Sequence, residues 1–386
     1  MTKGAPNQSA GLCAPSVFAF LRRLGGVLLC SAVSLLPLSA VAQISSDPEL
    51  NALAALKQGD GETARALLLP LIWSDRSNDQ TTLVQLRRLV IKSYLVEGRH
   101  SDAHSAMLRY EQDYSDAGDD PAWIAIKARV MIADGQPDDA ALVAVVSDDP
   151  EGKAVYALAH LKGYVAMDEQ LLQQSMVAFN NTQLDQPLHQ ALLAAALNKA
   201  IAMPVPAERI VALQQLLSVG DVSGVSITAA VDGLWSAYSE YGQEVANRLQ
   251  LLVGDFTPWF DAASRLQATA PVQAQALYVW LALHAEGNEL QTRAHQQFFL
   301  SLLLNPEGGP QGDKLLRTLY LSSSYYTDPG KLPAVVRQQL VDIALIDGDL
   351  AQAAQLLNQA DTPDGVEWQL RRVLLQREIQ RHSVRR

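Results

Sequence analysis

Apolar and polar residues follow one another along this chain with the period of a helix. Leucine, alanine and glutamine recur at spacings of three and four, while two-residue alternation is nearly absent, so helices are predicted almost throughout. A punctuation mark returns between them. Gly59, Gly98, Gly135 and Gly348 each close an amphipathic stretch, and five residues later stand Ala64, Ala103, Ala140 and Ala353. A glycine that ends one helix and a small residue that packs inside the next are what stacked helical hairpins need.

The pattern predicts a hairpin over Pro48–Trp73, a second over Thr82–Tyr114 and a third from Pro121 to about Val146. Acidic loops separate them, and Pro121 suits a first helical position. Lys153–Phe179 reads as another pair, followed by Leu184–Met203 with Pro206–Val219. Residues 218–226, rich in glycine and serine, read as a loop and as the candidate hinge or domain boundary. Long helices are expected over Ile227–Val253, then a helix capped by Thr257-Pro258, a hairpin over Val272–Leu304, breaks over Asn305–Asp313 and Ser322–Pro333, a hairpin over Ala334–Ala360 and a last helix over Pro363–His382. In that last helix Val366, Leu370, Val373 and Leu374 are expected to pack, with Arg371, Arg372, Arg377, Arg381, Arg385 and Arg386 in water.

The second hairpin carries a family resemblance. Tyr94, Gly98, Ala103 and Tyr110 have spacings that resemble the tetratricopeptide (TPR) repeat; Gly135 with Ala140, and Ala294 with Phe298 and Pro306, match in part. The family period is about 34 residues, whereas Gly59 to Gly98 spans 39 and Gly98 to Gly135 spans 37, and Val143–Val272 holds no clean copy. The resemblance implies an all-α fold, an α-solenoid of stacked antiparallel helix pairs, over roughly half of the chain beyond residue 42, with generic helical hairpins in the rest. Each pair has too little apolar surface to close on itself, so neighbours bury a continuous core together.

The first 42 residues read differently. Lys3, Arg22 and Arg23 precede an apolar run that ends in Ala40-Val41-Ala42, the pattern of a cleaved export signal. The organisation expected is therefore a signal peptide over 1–42, a TPR-like array over 43–219, and a second array over 220–386 with a terminal capping helix. A periplasmic location and no membrane span after cleavage follow as expectations. Both cysteines, Cys13 and Cys30, fall inside the signal, so the remainder uses no disulfide and no thiolate metal site. Its stability has to come from apolar burial, for which 48% hydrophobic composition is ample. The net charge of −11 becomes −14 once the three cations of the signal are gone, an acidic balance that argues against nucleic acid as a partner.

No catalytic pattern survives inspection, so the chain is expected not to be an enzyme and to need no cofactor. Ser223 lacks the spacing of a nucleophile elbow, Gly308-Gly309 runs into Pro310, and His100 with His104 lacks the glutamate of the zinc-protease pattern. The aspartates of 113–120 do not follow the order of a calcium loop, and no metal is expected. Aromatic pairs such as Trp259-Phe260 and Phe298-Phe299 read as core. One constellation remains. By the resemblance, the first helix of each hairpin lines a concave groove, which would place Gln85, Arg88, Lys92 and Arg129 there. Three cations on neighbouring rungs could clamp a carboxylate such as a peptide C-terminus; the plainer reading, which weighs more, is a solvated helix face with local ion pairs. The expected role is a scaffold or adaptor that binds other envelope proteins or peptides. The alternative is an accessory or regulatory module of cell-wall (peptidoglycan) metabolism, similar to the superhelical part of lytic transglycosylases.

Overall fold

Aspartate caps seven helix starts among the described residues of this chain, and glycine closes four helix ends. In the structure, a computed structural model that describes residues 47–74, 79–114, 120–181, 183–219, 227–303, 315–316, 318–319, 333–358 and 365–384, the described residues form helices and no strand. The side chains of Asp60, Asp79, Asp120, Asp149, Asp168, Asp185 and Asp349 each accept a backbone N–H of the first turn that follows, which satisfies donors that a helix start leaves open. Asp120 and Asp149 are the aspartates of the acidic loops that act as caps.

Seventeen helices have described bounds. They run α1 (Pro48–Lys57), α2 (Gly61–Trp73), α3 (Gln80–Val96), α4 (His100–Asp113), α5 (Pro121–Ala133), α6 (Pro137–Ala144), α7 (Pro150–Lys162), α8 (Glu169–Phe179), α9 (Gln186–Ile201), α10 (Pro206–Ser218), α11 (Ile227–Arg248), α12 (Phe256–Leu266), α13 (Pro271–His284), α14 (Glu289–Leu303), α15 (Ala334–Ile346), α16 (Leu350–Leu357) and α17 (Val366–Val384). The described residues are all-helical, compatible with the all-α fold read from the periodicity.

The recurring glycine has the expected physical cause. At Gly98 the backbone turns left-handed, with φ +70°; its N–H donates to the Leu95 carbonyl at 3.1 Å and the Arg99 N–H to that of Tyr94 at 2.9 Å. That pair of bonds is the Schellman closure, which needs a residue without a Cβ penalty. The same closure ends α1, α5 and α15, and the four partner alanines, Ala64, Ala103, Ala140 and Ala353, are 0% exposed.

Consecutive helices pack together from α1 to α11 and again from α12 to α17. Each odd helix from α1 to α11 also touches the next odd helix, up to α13. Helix α11 comes close to α13 at Gly242, where a Cβ would lie 2.5 Å from the Ala276 carbonyl oxygen. The core follows the chain in three clusters: Ala52 to Val96, Ile91 to Val130, and Ala128 to Leu375. Five of the six tryptophans are buried, and Trp259 stacks on Trp280 at 3.8 Å between ring centres; Phe298 and Phe299 are core, as expected.

Several expectations need correction. Asp149-Pro150 starts α7, three residues before the predicted Lys153. One helix, α11, stands where several were expected, and it ends before Gln250, a non-glycine residue at φ 57°. The helix α12 begins at Phe256 behind Asp255, so Thr257-Pro258 lie within its first turn. The packing stripe of α17 is the reverse of the predicted one: Trp368 and Leu375 are buried, while Val366, Leu370, Val373 and Leu374 are exposed. Arg371 is not solvated either, because its guanidinium grips the Asp342 carboxylate of α15 at 2.8 and 2.5 Å. The expected signal over 1–42, and most of the loops at 218–226, 305–313 and 322–333, lie outside the described residues. Helices α10 and α11, on the two sides of the expected boundary at 219/220, pack against each other.

Two glycines separate backbone strain from collision. A Cβ at position 98 meets nothing within 4 Å, so Gly98→Ala is expected to cost only the left-handed backbone, about 1 kcal/mol. Gly242→Ala drives a methyl into the backbone of α13 and is expected to cost more, about 1–3 kcal/mol. Urea denaturation followed by circular dichroism checks the order; equal costs would contradict the close approach of α11 and α13.

Candidate functional site

Helical spacing sets where the four singled-out residues point. Gln85, Arg88 and Lys92 lie three and four residues apart on α3, so they share a face; Arg129 stands on α5. Gln85 is exposed. The three cations are drawn inward and meet carboxylates of their own chain.

Arg88, 8% exposed, donates from Nε to the Tyr110 hydroxyl at 2.6 Å and from a terminal nitrogen to Asp120 at 2.6 Å. Tyr110 in turn lies against Trp123, ring centres 4.1 Å apart. Asp120 thus has two tasks, since its other oxygen caps α5 through the Ala122 N–H. Burial pushes its carboxyl up, but the Arg88 hydrogen bond and the cap outweigh that and hold it below the ordinary range.

Lys92 and Arg129 close a square with two carboxylates. Arg129 donates to both oxygens of Asp185, at 2.5 and 2.8 Å, and to Glu151 at 3.4 Å. Lys92 donates to Glu151 at 2.6 Å and lies 3.6 Å from Asp185. The side chains of Arg129 and Asp185 are 8% and 2% exposed. Both anions sit at helix N-termini, Glu151 in the first turn of α7 and Asp185 as the cap of α9 through the Leu188 N–H, where exposed backbone N–H groups favour negative charge. The square therefore links four odd helices: α3, α5, α7 and α9. Burial raises the Asp185 carboxyl, and the charge and hydrogen bonds of Arg129, with Lys92 and the Leu188 N–H, outweigh it and hold the group below its ordinary value. Arg129 stays protonated by the same contacts against its own desolvation.

The structure thus brings Lys92 and Arg129 together, sets Arg88 beside them with a separate counterion, and leaves Gln85 at the surface. The charge of this cluster is spent within the chain. Of the residues that complete it, Tyr110 was read as a repeat position and Asp120 as part of an acidic loop, while Glu151 and Asp185 were not singled out by the sequence. Asp185 is readable as a helix start before Gln186-Pro187, but nothing local joins it to Arg129, 56 residues away.

A shallow groove opens further along the same two helices, α7 and α9. Its volume is about 430 Å³, and it is lined by Leu161, Lys162, Ala191, Ala194, Asn198 and Ala202, among others. Lys199 fixes its end by donating to the carbonyls of Gly163 at 2.8 Å and Val165 at 2.5 Å, which leaves Tyr164 between them 97% exposed.

Elsewhere, His104 Nδ1 lies 2.5 Å from the Asp134 carboxylate. Among the described residues there is no group of three or more His, Cys, Asp or Glu placed to hold a metal ion, and no helix is long and apolar enough to cross a membrane. Comparison with models of protein families, with curated proteins and with solved structures finds no match for this chain.

The square makes a testable claim about stability. Asp185→Asn keeps a capping side chain but removes the charge, leaving Arg129 without its bidentate counterion, and is expected to cost about 3–5 kcal/mol. The double change Arg129→Met with Asp185→Leu is expected to recover most of that loss. Because the folded Asp185 carboxyl lies below its ordinary 3.8, its contribution is complete above that value and is lost as pH falls through the lowered one. Acid unfolding of Asp185→Asn should accordingly show a shallower slope below about pH 4 than the native chain; an unchanged slope would show that the pair contributes nothing to stability.

Proposed function

We propose that this chain is an exported, TPR-like α-solenoid that works in the bacterial periplasm as a scaffold or adaptor for another envelope protein, without catalytic activity of its own. The observation that carries the reading is the groove between α7 and α9. It lies between two successive odd helices, the set that touches rung to rung from α1 to α13. In a stack of helix pairs those first helices form the inner face, where a partner segment is received. Alanine lines the groove, so its floor is the helix surface itself, and a bulky side chain of a partner finds room there. Tyr164 and Lys162 stand exposed at its end and supply an aromatic and a cationic contact of the kind interfaces favour.

This assigns the singled-out cations a different task from the clamp. Their charges are met by Asp120, Glu151 and Asp185, and a ligand carboxylate would have to displace anions already held by bidentate and capping bonds. The ion square sets the rungs, and the partner contacts the alanine floor. The non-catalytic reading is supported by the sequence, in which no catalytic pattern survives inspection. The export reading rests on Lys3, Arg22-Arg23 and the Ala40-Val41-Ala42 step.

Ala194 is partly exposed in the groove, so Ala194→Trp fills the site without touching the ion square. Affinity capture from envelope extract should recover a partner with the native chain and lose it with Ala194→Trp, at unchanged melting temperature. A partner kept by Ala194→Trp would place recognition outside the groove. A peptidoglycan zymogram of the purified chain should stay blank, and a clearing band would overturn the non-catalytic reading.

A further inference from the structure

The helix α17 has two faces of unlike fate. One is built into the fold: Trp368 and Leu375 are buried, Arg337 of α15 lies over the Trp368 ring at 5.3 Å, and Arg371 chelates Asp342. On the other, Val366, Leu370, Val373 and Leu374 share a face at i, i+4, i+7 and i+8 and are 81, 50, 58 and 39% exposed. Such a run on one face of a helix marks a contact surface. It is bounded by opposite charges. Glu367 is exposed near its start, with its carboxylate held by Gln338 Nε2 at 3.2 Å, and Arg377 is exposed one turn beyond Val373.

We propose that this face pairs with itself: two copies of the chain associate through antiparallel α17 helices about a two-fold axis. The charge order decides both partner and direction. When Leu370 of one protomer lies across from Leu374 of the partner subunit, antiparallel register brings Glu367 across from Arg377 of the partner subunit. The two-fold axis repeats both contacts, as a self-complementary interface requires. A parallel pair would set glutamate beside glutamate and arginine beside arginine. An apolar centre with an acid at one end and a base at the other finds its complement in its own reversed copy. The inference is independent of the groove between α7 and α9, and an adaptor built this way would present two grooves.

Sedimentation equilibrium of the purified full chain over a concentration series tests it. The native chain is expected to form a reversible dimer. Leu370→Glu with Leu374→Glu should be monomeric at unchanged helix content. Glu367→Arg alone and Arg377→Glu alone should each weaken association about tenfold, because each breaks two symmetry-related pairs. The combined Glu367→Arg with Arg377→Glu restores opposite charge across the axis and should return association to within about threefold of native. A native chain that stays monomeric at every concentration, a dimer indifferent to the leucine changes, or a combined charge exchange that recovers nothing would each overturn the proposal.

Discussion

Taking the Arg129 guanidinium out of water would cost several kcal/mol if it were left alone, and much of this arrangement answers that one constraint. Its two oxygens of Asp185 come from the start of α9, its third contact from the first turn of α7, and the neighbouring cation from α3. None of these elements can slide along its axis by a turn, about 5.4 Å, without stranding a buried charge. Apolar packing is tolerant of such shifts; a bidentate pair is not. The square thereby fixes the relative register of four odd helices, and the floor of the groove between α7 and α9 inherits that register. Where hydrophobic contact says only that helices touch, Arg129 says at which residue.

The same economy governs helix ends. Asp120 and Asp185 each cap a helix with one set of lone pairs and hold a guanidinium with another. Position at a helix start already favours the anion, so the counterion for a buried arginine is obtained where a cap is needed anyway. At the opposite ends, Gly98 and its three counterparts settle the last carbonyls inside the chain, and the alanine five residues on lets the following helix come close. Where they occur, turn and cap satisfy backbone groups that a helix end otherwise leaves open.

How far this was legible depended on the range of the interaction. Gly98 and Ala103 lie in one turn and announce it locally, so fold class and four turns were readable, and Phe298 and Trp259 were placed correctly in the core. The cations Arg88, Lys92 and Arg129 were grouped through the repeat resemblance, which sets the first helices of neighbouring hairpins side by side. Their occupants were not readable, because Glu151 lies 59 residues from Lys92 and Asp185 lies 56 from Arg129. A sequence shows three positive charges where the structure shows three satisfied ones. The alanine floor at Ala191, Ala194 and Ala202 read as helix propensity, since a small side chain gives the same local signal whether it is packed tightly or left open as a groove.

The inverted stripe of α17 shows where pattern reasoning fails for a physical reason. Hydrophobicity ranks Val366, Leu370, Val373 and Leu374 above Trp368 with Arg371 as a packing face. The buried face instead takes the larger aromatic surface of Trp368, whose ring contributes more per residue than a valine, and admits Arg371 because Asp342 is waiting for it. Arg337, 2% exposed, lies over the same ring. A charge is read as solvated only while its partner is out of view, and once the partner lies on another helix the polar face becomes the inner one. The aliphatic residues then have to face outward, and an exposed aliphatic face with a carboxylate at one end and a guanidinium at the other is no longer a polar cap but a surface shaped for contact.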